Sequence, residues 1–214
     1  NSFHSFGPAN KKPVSITTEE KIKHQARTMF YKHGIKRITM DEIARQSGIS
    51  KKTIYESFKE KDELISAILK EDTLNHQKTI NNIALESKNA IDEIVKTMQY
   101  MAGFFSDMNP QMFYDLQKYH YHCWSQFNRF KEGFINDCIE KNLKRGVEEE
   151  YYRHGLNTRL FARLRVAEMD MCFGGEVFPP KHFNSVEVQI EVMKHFLFGI
   201  ATLKGHKLIT KLLK

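Results

Sequence analysis

Residues 39–64, TMDEIARQSGISKKTIYESFKEKDEL, decide the fold of this chain, because they spell two short helices at a fixed turn followed by the start of a third. Thr39 and Glu42 form a Thr-x-x-Glu capping box: the hydroxyl accepts from the amide three residues on, and the carboxylate reaches back to the Thr39 amide. A helix therefore starts at Met40, with Ile43 and Ala44 on its apolar face. Ser47-Gly48 stops it, since glycine tolerates the positive φ that helix ends commonly need. Ile49 plugs the turn. Ser50 is a good N-cap for a second helix from Lys51 to about Ser57, on which Ile54 and Phe58, four apart, face inward. This is the layout of a helix-turn-helix.

What remains outward on the second helix is Lys51, Lys52, Thr53 and Tyr55, with Thr39 and Ser50 at the two helix starts. In helix-turn-helix proteins the N-terminal residues of the second helix reach base edges in the major groove, while cationic and hydroxyl groups beside them hold phosphates. Lysine can read guanine, threonine can touch a thymine methyl, and tyrosine can donate to a phosphate. A lysine pair alone would read as a solvated helix face. Two capped helices about a Ser-Gly turn make a DNA contact the better reading.

The stretch resembles a known family. Ile22, Ala26, Phe30, Gly34, Thr39, Ile43, Ala44, Gly48, Ile49, Ser50, Ile54, Tyr55, Phe58, Lys61 and Leu64 fall on the spacing of the N-terminal domain of tetracycline-repressor-like (TetR-family) regulators, over Thr18 to Leu64. Lys52, Ser47 and Glu56-Ser57 depart from the residues common there. The resemblance implies an all-α chain: a flexible arm over 1–16, a three-helix DNA-binding domain over 17–61, and a helical effector-binding and dimerisation domain over 62–214. It also makes Lys61, at the start of the following helix, a phosphate contact.

Charge points the same way. The chain of 214 residues carries 33 Lys/Arg against 26 Asp/Glu, a net +7. Residues 11–61 hold 13 of the basic and 6 of the acidic residues, so the remaining 20 and 20 balance and the whole excess sits on the DNA-binding stretch. Cys123, Cys138 and Cys172 are odd in number and widely spaced, which suggests neither a disulfide framework nor a zinc site. No apolar run approaches the roughly 18 residues of a membrane span, and no signal pattern opens the chain. A cytoplasmic protein without a cofactor is the expectation.

Along the rest of the chain, a first helix starts at a second capping box, Thr17 with Glu20, and ends at Gly34, with Ile22, Ala26, Met29 and Phe30 as its stripe. A long helix runs from about Lys61 to about Asn82. Further helices are expected at roughly 90–107, 110–121, 125–145, 157–173 and 185–203, with breaks at Asn109-Pro110, Gly146, Gly155, Gly174-Gly175 and Pro179-Pro180. In the resembled family the helices corresponding to the aromatic and sulfur-rich run from Met98 to Phe134 enclose an effector cavity, and the rings with polar tips favour a pocket for a small, mostly apolar effector, with Met101, Phe104, Phe105, Met112, Phe113, Tyr119, His120, Cys123, Trp124 and Phe127 as its candidate lining. Plain core is the competing reading of each.

His120, His122 and Cys123 have the wrong spacing for one helix face, so no metal site is expected. Arg159, Arg163 and Arg165 read as an exposed charged face, with a buried arginine facing an acidic effector as the alternative. The helix over 185–203 is apolar on more than one face and suggests a partner; together with helix 157–173 it resembles the dimer-forming four-helix bundle of the family, with Phe196, Leu197, Ile200 and Ala201 at the homodimer seam and a central core helix as the competing reading. No Glu-x-x-His pair, nucleophile elbow or phosphate loop supports an enzyme. The chain is therefore expected to be a homodimeric regulator, a repressor released from a palindromic double-stranded DNA operator by its effector. A C-terminal domain that docks a protein instead is the rival.

Overall fold

A computed structural model describes residues 17–106, 108–173, 176–179 and 181–213. The expected arm over 1–16, residue 107 at the end of one expected helix, and the expected breaks at Gly174-Gly175 and Pro180 lie outside them.

Both capping boxes form. Helix α1 (Thr18–His33) begins where Glu20 N donates to Thr17 Oγ1 at 3.1 Å and Thr17 N donates to Glu20 Oε2 at 2.7 Å. Helix α2 (Met40–Ser47) repeats the pattern with Thr39 and Glu42, at 3.2 and 2.8 Å. Gly48 ends α2 in the left-handed region, φ 64°, and returns its amide to the Ala44 and Arg45 carbonyls. Helix α3 (Lys51–Ser57) starts with Ser50 Oγ accepting from Thr53 N at 3.1 Å. Helix α4 (Lys61–Glu86) follows, one turn longer than its pattern suggested.

The remaining helices are α5 (Ala90–Ser106), α6 (Gln111–Tyr119), α7 (Tyr121–Phe130), α8 (Asn136–Glu148), α9 (Thr158–Phe173), α10 (Ser185–Ile200) and α11 (Leu203–Leu212). Among the described residues there is no strand, only an isolated antiparallel bridge between Tyr152 and Ala201. Three expectations change. The break expected at Gly146 falls inside α8, which runs on to Glu148, and the bare glycine makes room for the Tyr152 ring. The break expected between 121 and 125 falls at His120 instead, whose ring is pinned to Asp62 of α4 at 2.5 Å. From there the chain runs helically into α8 through a π-helical turn, Lys131–Ile135, whose buried Lys131 is paired with Asp170. The helix expected over 185–203 ends at Ile200, and Thr202 caps a further helix, α11, with its hydroxyl on the Gly205 amide at 3.1 Å.

The buried side chains form two clusters. The first joins Ile22, Ala26 and Phe30 of α1, Ile43 and Ala44 of α2, Ile54 of α3 and Leu64, Ile65 and Ile68 of α4 to Phe105, Met112, Phe113, Leu116 and Cys123. The first half of α4 thus belongs to the N-terminal core, and the end of α5 with α6 and α7 closes that core from the other side. The second cluster gathers Ile91 and Val95 of α5, Leu143 of α8, Tyr152, Ala162 of α9, Phe196, Leu197 and Ile200 of α10 and Ile209 of α11.

Candidate nucleic-acid interface and effector cavity

The outward face of α3 is as open as its sequence implies. Lys51 and Lys52 side chains are 70% and 85% exposed, and Tyr55 is 46% exposed. Lys51 is paired with Asp41, and Lys52 lies 3.8 Å from Glu56. Exposed pairs of this kind are worth about 0–1 kcal/mol, so either lysine can exchange its carboxylate for a phosphate at little cost. The Asp41 hydrogen bond raises the Lys51 pKa and keeps the amine charged. The three hydroxyls have a prior duty. Thr39 caps α2 and also donates to Glu42 Oε2 at 3.0 Å, while Ser50 caps α3 and lies 2.8 Å from Thr53 Oγ1. They aim the helices first and can touch DNA second.

Lys61 departs from its expected place. Its Nζ donates to the Ile35 carbonyl at 2.6 Å and sits 5.7 Å from the Phe30 ring centre, and burial pushes its pKa down. The amine ties α4 to the loop after α1, where an outward cation was expected. The reason is geometric: α4 starts against the N-terminal core, so the side chain of its first residue points across that core.

A cavity of about 110 Å³ lies between α4, α5, α8, α9 and α10. Ile80, Ile94, Met98, Met101, Phe105, Ile135, Ile139, Met169, Ile190 and Met193 make most of its wall, with Thr97, Arg165 and Gln189 as polar members. Of the ten lining residues expected from sequence, Met101 and Phe105 are there. Met112, Phe113 and Cys123 fill the N-terminal core, with Phe104 and Trp124 packed against it. Phe127 borders a surface groove with Ser66 and Lys70. Tyr119 is exposed and accepts from Lys36 Nζ at 3.0 Å. His120 holds Asp62, and His122 lies 3.2 Å from Gln126. The cause is that α6 and α7 pack on α1 and α4, so their rings belong to the joint between the halves of the molecule. Arg165, read from sequence as surface charge, is 5% exposed, whereas Arg163 stays outside with Glu132.

The expected dimer residues are also placed differently. Phe196, Leu197, Ile200 and Ala201 are 6%, 0%, 1% and 9% exposed within one chain. The unforeseen α11, together with α5 and α9, covers that side of α10. Among the described residues open apolar side chains stand at several places, including Leu85 of α4 and Leu203 of α11; on α9 Leu160 and Leu164, one turn apart, are 54% and 44% exposed. Ala167 continues their stripe at helical spacing, and His195 and Gly199 are exposed on the neighbouring α10.

The joint between cavity and α1–α4 is built from specific contacts. Phe105 is both cavity wall and member of the N-terminal core. Its neighbour Phe104 meets the Tyr31 ring of α1 edge-on at 5.8 Å. Tyr31 donates to Asp72 of α4, and burial beside that carboxylate pushes the phenol pKa far up. Asn109 N donates to the Tyr31 carbonyl at 2.6 Å, and Lys36 N donates to Asp115 Oδ2 at 2.8 Å.

Comparison with known proteins agrees with this architecture. Residues 22–68 match the family described as bacterial regulatory proteins, tetR family. The chain is 24% identical over 171 residues to the uncharacterized HTH-type transcriptional regulator YvaF of Bacillus subtilis, covering 76% of this chain and 85% of that one. A TetR-family transcriptional regulator from Agrobacterium tumefaciens superposes with a TM-score of 0.71 at 14% identity, over 86% of this chain and 97% of its own. The regulator FadR from Bacillus subtilis, solved in complex with stearoyl-CoA, gives 0.61 at 19% identity, over 84% and 98%. Among the described residues no helix is long and apolar enough to cross a membrane, and no group of three His, Cys, Asp or Glu side chains is arranged to hold a metal ion.

Proposed function

We propose, for a chain that belongs to the tetR family of bacterial regulatory proteins through its residues 22–68, a homodimeric transcriptional repressor that leaves a palindromic operator when a small, mostly apolar effector fills the cavity behind α4 and α5. The observation that carries this reading is the double membership of Phe105. A ligand that moves its ring must also repack Met112, Phe113 and the α1–α4 core, because packed interiors respond to volume changes by discrete rearrangement. Lys51, Lys52, Thr53 and Tyr55 are the DNA contacts, with Thr39 and Ser50 setting their aim. Lys61 contributes through the helix start it anchors.

The dimer forms through the open face of α9 and α10, with Leu160 and Leu164 opposite their own copies and His195 and Gly199 beside them. Gly199 has nothing within 4 Å of where a Cβ would stand, so a partner helix can approach closely there. Two recognition helices in a dimer must sit about 34–36 Å apart, or a multiple, to enter successive major grooves. An effector that changes how α4 rides on α5 alters that spacing. By linkage it binds free protein more tightly than the DNA complex by the factor it takes from operator affinity.

A thermal-stabilisation screen with metabolites tests this, since a ligand at about 100 times its Kd adds about 2.7 kcal/mol. A stabilising ligand should weaken operator binding, and Phe105→Leu should reduce that weakening more than it reduces ligand affinity. A cavity ligand that leaves operator affinity unchanged contradicts the reading.

A further inference from the structure

The α9 and α10 side of the cavity carries polar atoms that its own lining does not satisfy. Arg165 is 5% exposed, its Nη1 donates to Glu168 Oε2 at 3.1 Å, and its guanidinium lies 6.0 Å from the Phe196 ring centre. Its Nε is buried without a hydrogen-bond partner. Gln189 of α10 leaves its Nε2 in the same condition, and both residues line the cavity. Both atoms are donors. Thr97, the remaining polar side chain of the wall, spends its proton on the Glu93 carbonyl at 2.8 Å and accepts from neither Arg165 Nε nor Gln189 Nε2, both of which are without a partner. No carboxylate lines this space; Glu168 borders instead the separate groove between α9 and α10, beside Met171 and His195. Two donors, one of them on a guanidinium whose other end is held by Glu168, thus stand in a mostly apolar wall and bond to no acceptor in it. A buried donor without a partner is costly in a folded chain, and here two of them belong to residues lining one cavity.

We propose that the cavity binds a small monocarboxylic acid, whose carboxylate accepts from Arg165 Nε and Gln189 Nε2 and whose apolar body lies among Met98, Met101, Ile135, Ile139 and Met169. This rests on the reading of the cavity as the effector site and adds the chemical class of the effector. A carboxylate fits because it is acceptor-only and offers an oxygen to each donor, and because a charged acceptor strengthens the bond to a guanidinium. Size narrows the class. An engineered cavity of about 150 Å³ holds benzene, so about 110 Å³ suits a phenyl-sized body or a short chain. The unbranched, adaptable methionines of the wall can give way slightly for it.

The test is calorimetric titration of the full chain with benzoate and hexanoate, each against its neutral partner, benzyl alcohol and 1-hexanol, and with stearate. One acid of the pair should bind about tenfold to a hundredfold tighter than its alcohol, the range set by a hydrogen bond to a charged group. Gln189→Leu should remove about tenfold from the acid and leave the alcohol unchanged. Arg165→Met should do the same or more, but it strands Glu168 and can perturb folding, so the Gln189 variant decides. Alcohols that bind as tightly as acids and release operator DNA overturn the carboxylate while leaving the effector cavity standing. Acid binding that Gln189→Leu does not weaken overturns the site, and stearate binding tighter than hexanoate overturns the size limit. No binding by any of the five removes the carboxylate proposal and counts against the cavity itself.

Discussion

Residues 17–60 and residues 90–213 are both helical, but different things start, stop and aim their helices. In the first region each helix opens on a side chain acting three residues away: Thr17 on Glu20, Thr39 on Glu42 and Ser50 on Thr53. In the second, Asn89, Asn157, Asn184 and Thr202 cap α5, α9, α10 and α11 in the same way, but α6, α7 and α8, which join the two clusters, open without any side-chain cap. Their ends are set by partners far along the chain. His120 turns where it meets Asp62, and Arg153 N donates to the Ile200 carbonyl at 2.9 Å. Gly146 leaves a space that Tyr152 fills, with ring carbons 2.1 Å from where a Cβ would stand. The difference is that α1 to α3 are started by local caps throughout, while the α6 to α8 stretch has its ends set by tertiary contacts.

The sharpest way to break this contrast is on α10 and α9. Leu197→Glu places a charge in the second core and should unfold the C-terminal half, a loss of several kcal/mol visible as a collapsed melting transition. Leu164→Glu, on the open stripe, should give a folded monomer by sedimentation that has lost most of its operator affinity. If Leu197→Glu is the folded monomer and Leu164→Glu stays dimeric, the two faces of this helix pair have been exchanged.

In the N-terminal region, stability and DNA affinity should separate residue by residue. Ser50→Ala should cost about 1 kcal/mol of folding stability, the usual value of an N-cap, along with operator affinity. Lys52→Ala should leave the melting temperature unchanged and cost about 1–3 kcal/mol at one operator position if it reads a base. Chemical denaturation and fluorescence anisotropy on the same preparations separate the two. A Lys52→Ala protein that melts early would place that lysine in the fold.

The smallest effect is a pH dependence at the joint. His76 of α4 bonds the Tyr100 hydroxyl at 2.7 Å and packs on Phe104 at 4.4 Å, and burial there lowers its pKa. The unfolded chain titrates His76 near the ordinary imidazole value of about 6.5 and takes up its proton first as pH falls, so the contribution is present above that value and declines below it through the lower folded value. His76→Gln should flatten the fall in melting temperature between neutral pH and pH about 5.5. An unchanged slope would assign the acid sensitivity elsewhere.

How much could be read in advance follows the same division. Caps, turn glycine and apolar spacing act over three or four residues, so α1 to α3 and the exposed Lys51, Lys52 and Tyr55 were legible. Lys61 was not, because its direction depends on how α4 meets Ile35 across the core. The ring-rich run announced burial but not which space it borders: Phe113 and Phe105 look alike in sequence and share one core, and only the packing of α5 and α6 sets Phe105 at the cavity wall as well. Arg165 and Arg163 differ by two residues on one helix, which is enough to turn one inward and the other to solvent, and nothing local says which. The four residues expected at the dimer seam were drawn inside because α11 went unread.

The central claim is that this chain reads a palindromic DNA site as a dimer through the first turns of α3. Selection of bound duplexes from a random library by the full-length protein, followed by sequencing, tests it most directly. The account predicts an imperfect inverted repeat whose half-site centres lie about 10–10.5 base pairs apart or a multiple of that, and its loss with the Leu164→Glu monomer. Recovery of no enriched sequence, or of a single asymmetric site bound equally by the monomer, would contradict it.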